Sequence, residues 1–261
     1  MNEKLQRIGE MKGRGEKVAV LTAYDYPTAR LLDETGIDIL LVGDSLGMVV
    51  LGYEDTTHVT LEEMLHHTRA VRRGTRNALL VSDLPIGTYK TPEAAVMNAR
   101  RLLEAGADCV KAEGGVSVAE QLGAITGAGI PLMGHIGMLP QSVAAMGGYR
   151  LRGKTEEEAK HLLDDAAAVE KAGAFAVVLE LVKPQVSERI SAALRIPTIG
   201  IGSGEGCDGQ VLVSHDLFGL FPWFTPKHVK WQAHAGDEIR TAAARYIQET
   251  KSRGGGSGSA A

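Results

Sequence analysis

Short apolar runs alternate with amphipathic segments from residue 17 to residue 216. The apolar runs are nearly continuous, which is typical of parallel strands that are covered on both faces. They predict eight strands, at residues 17–23, 38–43, 78–82, 108–112, 131–136, 175–180, 197–201 and 209–214. Helical patterns between these runs indicate parallel βα units. The chain is therefore predicted to be an α/β protein, and a closed (βα)8 TIM barrel is favoured over a doubly wound open sheet.

The predicted helices carry start and stop signals. Three starts show the capping-box pattern, in which two side chains satisfy free amides of the first helical turn: Thr60 with Glu63, Ser117 with Glu120, and Thr155 with Glu158. Three glycines after helical segments are predicted to end helices in the left-handed conformation: Gly36, Gly106 and Gly173. These signals place helices between the predicted strands.

Length and local composition suggest the domain organisation. The chain has 261 residues, which suits one barrel. Residues 1–253 are predicted to form a single catalytic domain, and residues 254–261, GGGSGSAA, are predicted to be a flexible, linker-like tail. A long segment between Gly137 and Thr155 has the length of a lid or binding loop.

Charge and composition exclude several function classes. The formal net charge is −4, so the chain lacks the basic field that holds nucleic acid or an anionic membrane. The apolar runs are too short to span a bilayer. The polar start of the chain and its two widely separated cysteines favour a cytoplasmic protein. The glycine string at residues 200–206 is not followed by a helix, which argues against a dinucleotide site.

Polar side chains cluster where the predicted strands end. In a TIM barrel, chemistry occurs at the carboxyl ends of the strands. The residues found there are Asp44 and Ser45, Asp83, Lys111 and Glu113, His135, Glu180, and His215 and Asp216. Any one of these is explained equally well as a solvated loop residue or a helix cap. Their convergence on several strand ends favours an active site.

The three acids Asp44, Asp83 and Glu113 supply the oxygen ligands that hard divalent cations prefer, so Mg²⁺ is the expected metal. Ser45 and Lys111 are candidates for holding a small carboxylate. Lys111 has two other interpretations, as an ion-pair partner of Glu113 and as the Schiff-base lysine of a metal-free aldolase.

Glu180 ends an apolar strand by itself, which makes it a candidate general base. A structural salt bridge at the barrel rim is the alternative. His135 is a candidate for orienting substrate or helping proton transfer, and a core histidine bonded to backbone is almost equally favoured.

Several phrases of the sequence resemble the ketopantoate hydroxymethyltransferase family, within the phosphoenolpyruvate/pyruvate barrel enzymes. They include LVGDSLGM, DLPIGTY, VKAEGG, GHIGMLPQSV and VVLELV, and they run in family order from about residue 5 to residue 250. The resemblance implies transfer of a hydroxymethyl group from 5,10-methylenetetrahydrofolate to 3-methyl-2-oxobutanoate through a Mg²⁺-stabilised enolate. The product would be 2-dehydropantoate, for pantothenate and coenzyme A synthesis, and the assembly would be a homodecamer.

The resemblance also implies roles for individual residues. Asp44 and Asp83 would contact Mg²⁺, and Glu113 would complete the metal site directly or through water. Glu180 would be the proton acceptor. Ser45 and Lys111 would bind the 2-oxo acid. With the residues chosen from their positions at the strand ends, the predicted substrate-binding set is Asp44, Ser45, Asp83, Lys111 and His135. Two alternatives stay open: another metal-dependent 2-oxo acid lyase or mutase on the same barrel, and a non-catalytic assembly scaffold derived from it.

Overall fold

The computed structural model describes residues 3–143 and 148–253. Its sheet is a closed barrel of parallel strands in sequential order, which confirms the predicted TIM barrel. The strands begin and end within two residues of their predicted bounds. They are β1 Val18–Thr22, β2 Ile39–Val42, β3 Leu79–Asp83, β4 Cys109–Glu113, β5 Leu132–Gly137, β6 Ala176–Glu180, β7 Thr198–Ile201 and β8 Gly209–Leu212.

Helices connect most of the strands. They are α1 Glu3–Arg14, α2 Tyr26–Glu34, α3 Leu46–Val49, α4 Leu61–Gly74, α5 Pro92–Glu104, α6 Ala119–Gly127, α7 Glu156–Lys171, α8 Pro184–Ala193, α9 Ser214–Leu217 and α10 Ala235–Arg253. Short 3-10 turns occupy Thr56–His58, Val116–Val118 and Pro140–Ser142. As the glycine string predicted, β7 leads to β8 without a helix, so it lacks the helix terminus that a dinucleotide needs.

The barrel core follows from the alternation of side chains along each strand. Alternate residues face the same side of a sheet, so in a closed barrel one row fills the interior. One apolar cluster takes such residues from all eight strands, and Ile8 and Met11 of α1 belong to the same cluster. Lys4 of α1 donates from Nζ to the carbonyls of Arg76 and Ala78, at 2.7 and 2.8 Å. Helix α1, which the sequence pattern did not predict, therefore packs against the barrel core.

Two of the three predicted caps form at the predicted residues. Thr60 and Glu63 make a complete capping box. Thr155 accepts a hydrogen bond from the Glu158 amide, but the Glu158 side chain accepts from the amide of Lys154, one residue earlier than expected.

The prediction of a capping box at Ser117 was wrong. Ser117 lies inside the 3-10 turn Val116–Val118, and the following helix starts from Val118 without a side-chain cap. The Asp165 side chain of α7 accepts from the amide of Val116 at 2.9 Å. A tertiary contact thus satisfies the amide at this turn.

The three helix-ending glycines are confirmed. Gly36, Gly106 and Gly173 have φ values of 84°, 110° and 88°. A side chain is strained in this region of backbone space, whereas glycine adopts it freely.

Aspartates placed just before even-numbered strands tie neighbouring strands together. The Asp38 side chain accepts from the amide of Ala19 in β1 at 2.9 Å. Asp108 accepts from Leu80 in β3 at 2.8 Å, and Asp208 accepts from Thr198 in β7 at 2.9 Å. Each carboxylate satisfies an amide near the start of the preceding strand. This repeated contact helps to fix the register of strand pairs at the amino-terminal end of the barrel.

The chain divides after Leu212 into two compact units. The first contains the barrel, and the second contains α9 and α10. His215 and Asp216 lie in α9, because β8 ends at Leu212. The predicted tail, residues 254–261, lies outside the described residues. Across 3–143 and 148–253, the helices lack the combination of length and apolar character that crossing a membrane requires.

The strand-tying contact of Asp108 gives a test of stability. Asp108→Ala leaves the Leu80 amide without its acceptor, so we expect a loss of about 1.5–3 kcal/mol, the range for hydrogen bonds to charged groups. Asp108→Asn keeps an acceptor oxygen and loses only the ion pair with half-exposed Arg72, so its cost is expected to be under about 1 kcal/mol. Urea unfolding of both variants measures the difference, and equal losses would contradict this role.

Candidate active site

The inward-facing row of side chains changes from apolar to charged at the carboxyl end of the barrel. On β3, buried Val81 is followed two residues later by Asp83. On β4, Cys109 is followed by Lys111 and Glu113. Because residues two apart share a face, the charged side chains continue the same inward row.

The same change occurs on β5 and β6, where Met133 is followed by His135 and Val178 by Glu180. Strand register then brings these side chains together: Asp83 pairs with Lys111, and Glu113 pairs with His135. Five of the residues predicted from sequence therefore lie at one end of the barrel interior.

Asp44 and Ser45 reach this end from the turn after β2. The backbone amide of Asp44 donates to Oδ2 of Asp83 at 3.1 Å, which places the two acids side by side. Ser45 is half-buried, and its hydroxyl lies 2.8 Å from the hydroxyl of buried Tyr24. Tyr24 was not among the predicted residues, although its place just after β1 was the available signal.

Burial of three carboxylates close together disfavours their charged forms. Asp44, Asp83 and Glu113 are each at most 4% exposed. Burial, followed by the charges of Asp83 and Glu113, raises the pKa of Asp44 well above its ordinary value. Burial also raises the pKa of Asp83, against the opposing charge of Lys111. The charges of these acids therefore depend on cationic partners, since an isolated buried carboxylate is unfavourable.

Lys111 is the first of these partners. Its Nζ lies 3.1 Å from Oδ1 of Asp83 and 3.2 Å from Nδ1 of His135. Burial lowers its pKa, but the charges of Asp83, Glu113 and Asp44 outweigh burial and raise the pKa above its ordinary value. Lys111 forms its close ion pair with Asp83, whereas the sequence analysis considered Glu113 as the ion-pair partner. A protonated amine is not a nucleophile, so this setting favours a charged binding group over a Schiff-base lysine.

His135 faces charged side chains with both ring nitrogens. Nδ1 lies 3.3 Å from Oε1 of Glu113, and Nε2 lies 3.1 Å from Oε2 of Glu180. Burial and Lys111 lower its pKa, but Glu113 and the bonds to both carboxylates outweigh them and raise it to about 9. In turn, against the effect of burial, the charge of His135 holds the pKa of Glu113 below its ordinary value. His135 therefore links the acid cluster to Glu180.

The backbone of Glu180 is held by a hydrogen bond, and its side chain is partly exposed to solvent. Its carbonyl accepts from the amide of Met138 at 2.8 Å, and its side chain is 15% exposed. The next residue, Leu181, has a φ of 48°, which is strained for a branched side chain. The amide of Leu181 donates to Ile201, and its carbonyl accepts from Arg152. Contacts on both sides thus hold this strained turn immediately after Glu180.

Gln141 and Tyr89 complete the acid cluster and were not predicted. Nε2 of Gln141 donates to Oδ2 of Asp44 at 2.8 Å, and its backbone amide donates to Oε2 of Glu113 at 3.1 Å. The Tyr89 hydroxyl donates to Oε1 of Gln141 at 2.7 Å. Gln141 lies in the loop after β5, which the sequence indicated only as a binding loop or lid.

The acids retain oxygens that suit a cation. Among the described residues, Oδ1 of Asp83 and Oε1 of Glu113 are buried without a partner in hydrogen-bond geometry, and each faces a cationic group, Nζ of Lys111 at 3.1 Å and Nδ1 of His135 at 3.3 Å. In the same part of the chain, three or more Cys, His, Asp or Glu side chains do not converge on one point as a ready-made metal cage. Mg²⁺ commonly uses one or two carboxylates and keeps several waters, so it does not need such a cage.

Comparison with known proteins identifies the family. A family model described as ketopantoate hydroxymethyltransferase matches residues 2–254. The chain belongs to the ketopantoate hydroxymethyltransferase family. Among its relatives is the 3-methyl-2-oxobutanoate hydroxymethyltransferase of Syntrophus aciditrophicus, 55% identical over 94% of this chain and 90% of that protein. The enzyme of the same name from Acetivibrio thermocellus is 54% identical over 96% of this chain and 90% of its own length. The resemblance seen in the sequence, and with it the expectation of an enzyme, is confirmed.

Solved structures show that the family shares its fold with distant enzymes. A putative phosphonomutase from Burkholderia cenocepacia superposes with a TM-score of 0.69 at 17% identity, over 95% of this chain and 99% of that one. A phosphonopyruvate hydrolase in complex with oxalate and Mg²⁺ gives a TM-score of 0.63 at 13% identity, over 97% of this chain and 88% of that one. At these identities the similarity shows a shared fold and does not extend to function.

Gly137 supports Glu180 through close packing, which can be tested. A Cβ at Gly137 would clash with the Glu180 carbonyl and approach Cγ2 of Val182 to 2.7 Å, at a φ of 101°. We expect Gly137→Ala to cost about 2–4 kcal/mol of stability, from overpacking and backbone strain together, and to lower activity.

The matched control is Gly129→Ala. Gly129 also has a positive φ, 77°, but a Cβ there meets nothing within 4 Å. Its cost should be limited to about 1–2 kcal/mol of backbone strain. Thermal unfolding and turnover of the two variants give the comparison, and equal effects would show that the contact with Glu180 is unimportant.

Proposed function

We propose that this protein transfers a hydroxymethyl group from 5,10-methylenetetrahydrofolate to 3-methyl-2-oxobutanoate, giving 2-dehydropantoate for pantothenate synthesis. One observation carries the proposal: three buried carboxylates lie beside Lys111 and His135, with Glu180 next to them, at the end of the barrel where such enzymes act. The names of the relatives supply the substrate.

The donor set fits a divalent cation. Asp44 and Asp83 are adjacent, and Glu113 is close enough to contribute directly or through water. When bound, Mg²⁺ would act as a Lewis acid that takes up the negative charge developing on the keto oxygen. Hard oxygen ligands are what Mg²⁺ prefers, and one oxygen each of Asp83 and Glu113 is buried without a partner in hydrogen-bond geometry among the described residues, beside the charges of Lys111 and His135.

Ser45, Lys111 and His135 complete the proposed substrate site. The buried ammonium of Lys111 would attract the substrate carboxylate, and its burial keeps water from screening that attraction. The Ser45 hydroxyl, oriented by Tyr24, offers a hydrogen bond next to it. Together these groups would hold the oxo acid in one orientation, with Glu180 next to His135.

Glu180 is the proposed base. It removes the proton from C3 of the oxo acid, and the released electron pair attacks the methylene carbon of the folate as the first of its two carbon–nitrogen bonds breaks. Water then displaces the second nitrogen from that carbon and becomes the hydroxyl group of the product. The two folate nitrogens take up the C3 proton and one proton of the water, and tetrahydrofolate leaves. His135, 3.1 Å from the Glu180 carboxylate, orients the base. Product formation that depends on folate separates this reaction from a lyase or mutase reaction.

Two further proposals accompany this function, supported by the family resemblance and by composition. The protein assembles as a homodecamer, and it acts in the cytoplasm. Light scattering gives the assembly mass, and a monomer mass would contradict the first.

The metal assignment is tested by removing either acid. We expect Asp44→Ala and Asp83→Ala to weaken metal-dependent binding of 3-methyl-2-oxobutanoate by at least about tenfold, since even groups around metal ligands contribute 10–100-fold. Circular dichroism checks that the barrel stays folded, and Asp164→Ala on the exposed face of α7 is the control. Unchanged titration of the oxo acid in both variants would exclude these acids as metal ligands.

The base is tested by Glu180→Gln, which keeps the shape and removes the proton acceptor. Turnover should fall by about 10²–10⁴-fold, the usual contribution of a general base, with substrate affinity nearly unchanged. Exposed Glu157→Gln on α7 is the matched control. Exchange of the C3 proton with deuterated water, followed by NMR without folate, isolates the first step.

Wild type with Mg²⁺ should exchange this proton and Glu180→Gln should be close to silent. Exchange at the wild-type rate in the variant would reduce Glu180 to a structural residue and leave His135 as the next candidate. If wild type exchanges only in the presence of the folate, turnover with folate becomes the measure of the same comparison.

A further inference from the structure

Gln141, which follows β5, forms hydrogen bonds to residues at the ends of three other strands, β2, β3 and β4. It follows β5 in the turn Pro140–Ser142 and is 5% exposed. Nε2 donates to Oδ2 of Asp44 after β2 and to the carbonyl of Leu84 after β3, at 2.8 and 3.0 Å. Its backbone amide donates to Oε2 of Glu113 at the end of β4, at 3.1 Å. A buried side chain with this many directed contacts holds one conformation.

Tyr89 fixes the orientation of the Gln141 amide. Its hydroxyl donates to Oε1 of Gln141 at 2.7 Å and lies 3.3 Å from the Glu113 carbonyl. With Oε1 accepting from Tyr89, Nε2 must face Asp44 and Leu84, and its two hydrogens are both used. A flip of the amide would place an oxygen against two acceptors, which is unfavourable in a buried site.

The result is that each acid has one oxygen held by the protein. Oδ2 of Asp44 accepts from Gln141, Oε2 of Glu113 accepts from the Gln141 amide, and Oδ2 of Asp83 accepts from the Asp44 amide. The opposite oxygens of Asp83 and Glu113 have no partner in hydrogen-bond geometry within the described chain, and they face the cationic groups of Lys111 and His135. Gln141 supplies two of the three anchors.

We propose that the side chain of Gln141 is a positioning group that orients Asp44 for a divalent cation, while the backbone amide of the same residue holds Glu113. The inference rests on the proposed metal-dependent function. Metal-bound carboxylates are themselves hydrogen-bonded in proteins, and loss of such a bond typically lowers metal affinity 10–100-fold. Here one residue reaches two of the three acids, and the phenol of Tyr89 keeps its amide in the donating orientation.

The experiment measures binding of Mn²⁺ alone to the full chain, by calorimetry or by the EPR signal of the free ion. Gln141→Met keeps the size of the side chain and removes its donors to Asp44 and Leu84. Tyr89→Phe removes only the hydroxyl that fixes the amide. Asn98→Ala is the control, because Asn98 is also a buried amide, 8% exposed, whose Nδ2 donates to the Thr88 carbonyl of the same β3–α5 connection.

We expect Gln141→Met to weaken Mn²⁺ binding by about 10–100-fold, and Tyr89→Phe to weaken it by a smaller factor. Asn98→Ala should lower the melting temperature while leaving Mn²⁺ affinity at the wild-type value. This contrast separates positioning from stability, because a merely structural role of Gln141 would change only the melting temperature.

Unchanged Mn²⁺ affinity in Gln141→Met overturns the inference while leaving the metal site intact. Should Gln141→Met fail to fold, Tyr89→Phe decides, and wild-type affinity in that variant overturns the inference. A wild-type protein that binds no Mn²⁺, or whose binding survives Asp83→Ala, overturns both the inference and the proposed metal site.

Discussion

Three carboxylates repel one another inside the end of the barrel, and the arrangement around them follows from that repulsion. Asp44, Asp83 and Glu113 are almost fully buried, so water does not screen their charges. The compensation comes from two cationic side chains, Lys111 and His135, together with hydrogen bonds from backbone and from Gln141. Buried charges that lower stability in this way are typical of functional sites, where chemistry takes precedence over stability. The same excess of negative charge is what would make a divalent cation bind.

Much of the fold and part of the site could be predicted because both depend on the same local periodicity. A strand alternates its side chains, so an inward residue two positions beyond the apolar row must face the same interior. Lys111 and Glu113 on β4, His135 on β5 and Glu180 on β6 all obey this rule. The strands themselves are signalled by apolar runs and by glycines that end the preceding helices. Which roles these residues perform stays a prediction, since geometry alone does not test a proton transfer or a metal bond.

The remaining features depend on contacts between distant parts of the chain. Gln141 forms a hydrogen bond with Asp44, 97 positions away in the sequence, and no local pattern around either residue predicts that bond. Helix α1 precedes the alternation of strands and helices and was missed, although Leu5, Ile8 and Met11 recur three residues apart and pack against the barrel core. The cap expected at Ser117 failed because Asp165 of another helix bonds an amide of that turn. Local rules fail here where tertiary contacts satisfy the same backbone groups more directly.

The segment from Gly137 to Gln141 connects the two halves of the site. At its start, Gly137 packs against the Glu180 carbonyl and Met138 donates to it, so the base is supported from this side. At its end, Gln141 donates to Glu113 and Asp44. Five consecutive residues therefore touch both the base and the acids. A displacement of this segment would move both groups at once, and a close fit of glycine against backbone leaves little room for such movement. Together with the strand register that brings Glu113, His135 and Glu180 to one end of the barrel, this segment helps to hold the base and the acids at a fixed separation, as a reaction that uses both groups requires.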